Sequence, residues 1–110
     1  DTPPTIFKET AEVENSLISN GCIIEGKVIN SVLSRGTIVE KDVVLEECVI
    51  LQDCHIKAGS HLKNVIVDKN NIIHENEKLS ASEEYPLVIE KGMKWNTKEY
   101  KDLMDYIKNK

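Results

Sequence analysis

"NSVLSRGTIVEKDVVLEECVILQDCHIKAGSHL" runs from Asn30 to Leu62. Its aliphatic runs are never longer than three residues, and polar pairs interrupt them throughout. Aliphatic side chains fall at Val32, Ile38, Val44, Ile50, Ile56 and Leu62, every sixth position. An amphipathic helix would repeat at i, i+3, i+4 and i+7, and a plain strand would alternate without breaks. Here short alternating pieces stop at polar or turn-forming pairs (Ser34-Arg35, Glu40-Lys41, Glu46-Glu47, Gln52-Asp53, Ala58-Gly59) and then restart. Two residues before each aliphatic anchor lies a small or short residue: Asn30, Gly36, Asp42, Cys48, Cys54 and Ser60. The pattern is a short strand, a corner, and a short strand again.

Three such sides close a triangle of about 18 residues, and stacked triangles make a parallel β-helix. This frame predicts Val32 on Ile50, Ile38 on Ile56 and Val44 on Leu62, with the small residues inside near the corners. Asp42 is the misfit of the frame, because it would bring a charge inside above Ser60. Upstream, Ser16 with Ile18 and Cys22 with Ile24 repeat the unit, and Gly26 with Val28 follows on a shortened side. Downstream the frame continues through Asn64 with Ile66 and Asn70 with Ile72, and more loosely to Leu79. Val13 to Leu79 thus holds about four coils. A β-sandwich would want longer strands and turn signals every 8–12 residues or so. The expected class is all-β, a left-handed parallel β-helix of hexapeptide repeats with a C-terminal α-helix.

The ends read differently. Residues 1–12, with Pro3-Pro4, read as a linker, 13–92 as the β-helix, and 93–110 as the C-terminal helical segment. Within the last, Asn96 and Glu99 form a capping box, and Tyr100, Leu103, Met104 and Ile107 form one apolar stripe. The chain opens on Asp1 rather than Met, which suggests the C-terminal part of something longer. Its 110 residues suffice for one domain, and a net charge of -5 argues against nucleic-acid or anionic-membrane partners. No apolar segment approaches a membrane span, and three cysteines with no zinc spacing read as reduced thiols in a cytoplasmic protein.

Candidate chemistry is sparse. His55 and His61 fall on outward positions of successive sides and cannot share a metal, and His74 lies at a corner. Cys48 and Cys54 read as packing residues. There is no phosphate-cradling glycine loop and no nucleophile elbow, so no cofactor, metal or catalytic residue is assigned. Arg35 and Lys41 stand at successive corners and could meet an anionic ligand. One outer side of the prism carries Leu33, Val49, Leu51, Val65 and Val67, an apolar face that something must cover. The helix stripe, another domain or another subunit are the candidates.

"VENSLISNGCIIEGKVINSVLSRG" (Val13 to Gly36) resembles the start of the C-terminal β-helix domain of glucose-1-phosphate adenylyltransferases, and "KNVIVDKNNII" (Lys63 to Ile73) is similar to a later coil of that family. "YPLVIEKG" (Tyr85 to Gly92) resembles the catalytically silent, regulatory type of subunit. The resemblance spans about Pro3 to Gly92. It implies a missing N-terminal nucleotidyltransferase-like domain that makes ADP-glucose for glycogen, or a silent copy of one. It also implies a β-helix that serves subunit and domain assembly and allosteric regulation rather than catalysis. Partners would be that domain, other subunits and an anionic small-molecule effector contacting Arg35 or Lys41. The other reading of the repeat is a hexapeptide acyltransferase that uses acyl-CoA with His55 or His61 as base.

Overall fold

The computed structural model describes residues 3–91, 105, 106 and 109. Fifteen short strands fill three parallel sheets of five strands each. β1 (Ile6–Phe7), β4 (Ile23–Ile24), β7 (Ile38–Val39), β10 (His55–Ile56) and β13 (Ile72–Ile73) make the first face. β2 (Glu12–Glu14), β5 (Lys27–Ile29), β8 (Val44–Glu46), β11 (His61–Lys63) and β14 (Lys78–Ser80) make the second. β3 (Leu17–Ile18), β6 (Val32–Leu33), β9 (Val49–Ile50), β12 (Val65–Val67) and β15 (Leu87–Ile89) make the third. This is the three-sided parallel solenoid expected of a left-handed β-helix. Ile6–Phe7 already pairs with β4, so residues 6–12 belong to the first rung and are not linker. The expected C-terminal helix falls almost wholly outside the described residues; of it, Asp105 and Tyr106 are helical.

The core is three inward columns. They are Ile24, Val39, Ile56 and Ile73 on the first face, Val28, Leu45, Leu62 and Leu79 on the second, and Leu33, Ile50, Val67 and Ile89 on the third, all buried. Half of the expected frame is therefore corrected. Ile50, Ile56 and Leu62 point inward as expected, but Val32, Ile38 and Val44 point outward, and so do Ile66 and Ile72. The true stacks are Leu33 on Ile50, Val39 on Ile56 and Leu45 on Leu62, seventeen positions apart rather than eighteen. The two coils from Leu33 to Val67 each have two six-residue sides and one five-residue side, whereas the last side, from Leu79 to Ile89, takes ten residues. The short side runs from the second face to the third, as from Leu45 to Ile50 and from Leu62 to Val67.

The corners explain the slip. Asn15, Asn30, Asp42, Glu47, Asp53, Asn64, Asn70 and Asn76 take the left-handed conformation, with φ between 46° and 63°. Gly21, Gly36 and Gly59 do the same with φ of 73–78°. Asn and Asp tolerate this region better than other L residues, and Gly adopts it freely. The small inward position is the next residue: Cys22, Ser31, Thr37, Cys48, Cys54, Ser60 and Asn71. Asp42 is accordingly exposed, and Val43 occupies the inward slot.

The polar inward residues stitch rung to rung. Ser31 Oγ donates to Ile29 O (2.8 Å) and accepts from Cys48 N–H (3.0 Å). Ser60 Oγ donates to His74 O (2.7 Å) and accepts from Glu77 N–H (3.1 Å). Asn71 Nδ2 donates to the carbonyls of Asp68 (3.0 Å) and Glu90 (3.1 Å). A hydroxyl, thiol or amide fits there because a backbone carbonyl of the same or next corner stands beside it, so the buried polar group is satisfied.

One corner is missing. Ile24 to Val28 is a four-residue side, and the chain turns at Gly26 without a left-handed residue. A Cβ on Gly26 would lie 2.5 Å from Val43 O and 2.9 Å from Glu40 O. The second rung is thus drawn in tightly under the third at this edge.

Candidate docking faces and effector positions

The three outer faces differ in chemistry. On the third face the outward column is Leu17, Val32, Val49, Ile66 and Val88, aliphatic on every rung. Leu17 is 73% exposed, Val88 49% and Val32 40%, while Val49 and Ile66 are half-buried. The face expected to be apolar is apolar, but mostly through other residues. Leu33, Val65 and Val67 have no exposed surface and line the core, so they are withdrawn as interface residues. Val49 and Leu51 remain outside, half-buried.

The first face carries Ile6, Ile23, Ile38, His55 and Ile72 in its outward column. Beside it runs a charged column in which Lys8 pairs with Glu25 at 3.6 Å and Lys57 with Glu75 at 3.8 Å. The second face is the polar one, with Glu12, Lys27, Val44, His61 and Lys78 outward, and with Lys27 paired to Glu12 at 3.8 Å. The first rung is an open end. Phe7 is 56% and Val13 38% exposed, although both stand in inward columns.

His55 and His61 lie on different faces, as expected. His55 Nε2 bonds Glu40 Oε2, and Glu40 Oε1 accepts the Ala58 N–H at 3.0 Å. Burial pushes the Glu40 carboxyl up, but the hydrogen bonds from His55 and Ala58, with the nearby His55 and Lys57 charges, outweigh it and hold the carboxyl below its ordinary value. The imidazole is thus tied to a carboxylate on an open strand face, with no extruded loop between Ile38 and Leu62 to build a substrate cleft over it. Cys22, Cys48 and Cys54 are free thiols inside the prism. Burial pushes Cys48 up to about 11 and also raises Cys54, so both are packed, protonated thiols. No group of three or more metal-ligating side chains occurs among the described residues.

Arg35 and Lys41 are both exposed, at the two ends of β7. They belong to different edges of the prism, which the fold does not bring together. Arg35 O accepts from Asp53 N–H on the next rung (3.0 Å), and Lys41 O from Gly59 N–H (3.1 Å). Lys41 also lines a groove of about 450 Å³ with Lys8, Glu9, Thr10 and Glu25, where the missing corner of the second rung leaves a gap. Two lysines there face two glutamates, so the groove has no net charge. Its sequence signal, the short Ile24-to-Val28 side, was visible, but the gap it opens was not.

Against known proteins, residues 4–85 match the family model described as GlmU-like, C-terminal hexapeptide. The glycogen biosynthesis protein GlgD of Bacillus subtilis is 45% identical over 93 residues, which is 84% of this chain and 27% of that protein. GlgD of Geobacillus stearothermophilus is 47% identical over 45 residues, 41% of this chain and 13% of that protein. The glucose-1-phosphate adenylyltransferase of Bacillus cytotoxicus is 56% identical over 39 residues, 36% of this chain and 10% of that protein. The chain therefore spans between a tenth and about a quarter of the length of these relatives. The match over most of the prism and the hexapeptide solenoid itself lead to one conclusion: this chain belongs to the GlmU-like C-terminal hexapeptide family.

Proposed function

We propose that this chain is the C-terminal, non-catalytic assembly domain of a glucose-1-phosphate adenylyltransferase-type protein of glycogen synthesis, of the regulatory kind. The observation that carries the reading is the 45% identity to the glycogen biosynthesis protein GlgD over 84% of the chain. The geometry agrees with it. The first rung is an open apolar end, with Phe7, Val13 and Leu17 uncovered, where a preceding domain can dock. Among the described residues His55 is tied to Glu40 and the three thiols lie in the core. In this reading Arg35 and Lys41 are cationic corners offered to an anionic effector. Standing on different edges, each works with groups of the neighbouring domain rather than with the other.

The full-length protein tests this. Alone it should form little or no ADP-glucose from ATP and glucose 1-phosphate, and mixed with a catalytic adenylyltransferase subunit it should co-assemble and change that subunit's response to anionic effectors. Ile6→Lys with Phe7→Lys should weaken the assembly while the circular dichroism of the prism is kept. Acyl transfer from acyl-CoA by the isolated chain, abolished by His55→Gln, would overturn the reading in favour of the acyltransferase.

A further inference from the structure

We infer that the notch at Gly26 receives a loop of the domain preceding the prism, held through one of the loop's peptide groups. This rests on the assembly reading above and adds to it a place and a kind of bond. On the first rung the side from Phe7 to Val13 takes six residues, and on the third so does the side from Val39 to Leu45. Each turns through a corner, closed by Ala11 N–H on Lys8 O (3.0 Å) and by Val43 N–H on Glu40 O (3.4 Å). The second rung crosses from Ile24 to Val28 in four, so the two corners overhang it like lips. The lips are two rungs apart, about 9.6 Å, which leaves room for one strand of chain between them.

The missing corner interrupts a ladder of hydrogen bonds. Higher on the same edge, the left-handed residue of each corner donates its N–H to the rung below, Asn76 to Ala58 O (3.0 Å) and Gly59 to Lys41 O (3.1 Å). Asp42 holds the same position on the third rung, with φ 63°, but its N–H has no partner among the described residues. The floor of the notch offers it nothing. Glu25 O is taken by Thr10 Oγ1 (2.6 Å) and Gly26 O by Glu12 N–H (3.1 Å). What this N–H lacks is an oxygen from outside the prism.

The charges choose among oxygens. Along the groove three lysines face four carboxylates, an excess of one negative charge. Lys8 and Lys27 are already paired with Glu25 and Glu12. A phosphate or carboxylate would meet the Asp42 carboxylate at the very residue whose N–H should bind it. A peptide carbonyl carries no charge to be repelled, and the same chain brings an N–H for a lining carboxylate. The lower lip, Lys8 to Thr10, belongs to the first rung. Phe7 and Val13 of that rung are the open end assigned to the preceding domain, so the notch continues the same surface.

Residue-resolved hydrogen exchange of this chain alone and of the full-length protein is the test. In the chain alone the Asp42 amide should exchange at least tenfold faster than those of Gly59 and Asn76. In the full-length protein it should slow at least tenfold while Gly59 and Asn76 keep their rates. If Lys8 and Glu12 slow there and Asp42 does not, the domain covers the open end but not the notch, and the loop is refuted while the assembly reading stands. If none of them slows, both are refuted. Slowing of Asp42 by inorganic phosphate in the chain alone would assign the notch to an anion and overturn the loop. Inserting Lys-Asp between Glu25 and Gly26 copies the third-rung corner into the second and fills the notch. The insertion should protect the Asp42 amide and keep or raise the melting temperature of the chain alone, yet lower that of the full-length protein. A full-length melting temperature as high as the parent's would count against the loop, and the exchange rates of the unaltered proteins decide the matter even where the insertion fails to fold.

Discussion

Ile50 and Val44 belong to the same six-residue series, yet the prism treats them oppositely. Ile50 has no exposed surface, and Val44 stands outside between Lys27 and His61. Ile50→Asp would put an unpaired carboxylate among Leu33 and Val67, at a cost of roughly 4 kcal/mol or more. Val44→Asp stands on the outside beside the Lys27 ammonium and should change stability by less than about 1 kcal/mol. Urea melts of the two variants check this, and equal losses would mean that the inward assignment is wrong. Glu47 is the other telling residue. It sits at φ 52° in the edge that Asn15, Asn30 and Asn64 also occupy, and it accepts a hydrogen bond from Asn30 Nδ2 at 2.8 Å. Asparagine suits that conformation better, so Glu47→Asn should raise stability by about 1 kcal/mol, read as a higher melting temperature. The same residue shows why the sequence was only partly legible. The left-handed positions 30, 36, 42, 53, 59, 64, 70 and 76 carry Asn, Asp or Gly in steps that reveal the five-residue side, but glutamate at 47 hides one of them. Val32-Leu33, Ile38-Val39, Val44-Leu45 and Val49-Ile50 are aliphatic at both members, so an outward residue could be exchanged for its inward neighbour without breaking the series.

At the scale of the strand, the Glu40–His55 pair ties the end of β7 to β10. Glu40 has its carboxyl lowered from 4.5 by the His55 and Ala58 hydrogen bonds against the effect of burial. A lowered carboxyl stabilises the fold above its ordinary value, and that contribution is lost as pH falls through the lowered one. Glu40→Gln should therefore melt below the parent at neutral pH, with the difference fading as the pH falls below the ordinary carboxylate range. A difference unchanged by acid would mean that packing, not the charge, holds the two strands there. Cys48 responds at the other end of the scale. Its thiol, raised by burial from 9.0 to about 11, favours the folded state below the ordinary value, and that share of stability is lost as pH rises from about 9 toward about 11. At about pH 8 an aromatic disulfide reagent should leave all three thiols of the folded chain unmodified and react with all three once guanidinium unfolds it. Element identity was well marked in the sequence because corner and small residue recur together. The faces were not, because which way a two-residue strand points is fixed by corner conformation rather than by its own composition.

For the whole molecule, a prism of stacked rungs is held by nearest neighbours, so stability should be graded along its axis. The first rung leaves Phe7, Val13 and Leu17 exposed, whereas Ile73, Leu79 and Ile89 in the last rung are buried. Amides of Lys8, Glu12 and Ser19, bonded to Ile24, Gly26 and Leu33 carbonyls, should exchange roughly 100-fold faster than those of Ser34, Glu40 and Leu51 in the isolated chain. The gap should narrow in the full-length protein if a preceding domain covers the open end. Equal exchange along the axis would show one cooperative block instead. The seventeen-residue coil has one more consequence, for how such a domain can change length. It behaves as a screw thread between whatever precedes Ile6 and whatever follows Ile89. Gain or loss of a whole coil slides the two attachments by about 4.8 Å and leaves their bearing unchanged. Gain or loss of a single side advances them by only about 1.6 Å but turns one against the other by about a third of a revolution. Spacing and orientation of the neighbours are therefore set by separate, countable steps in chain length.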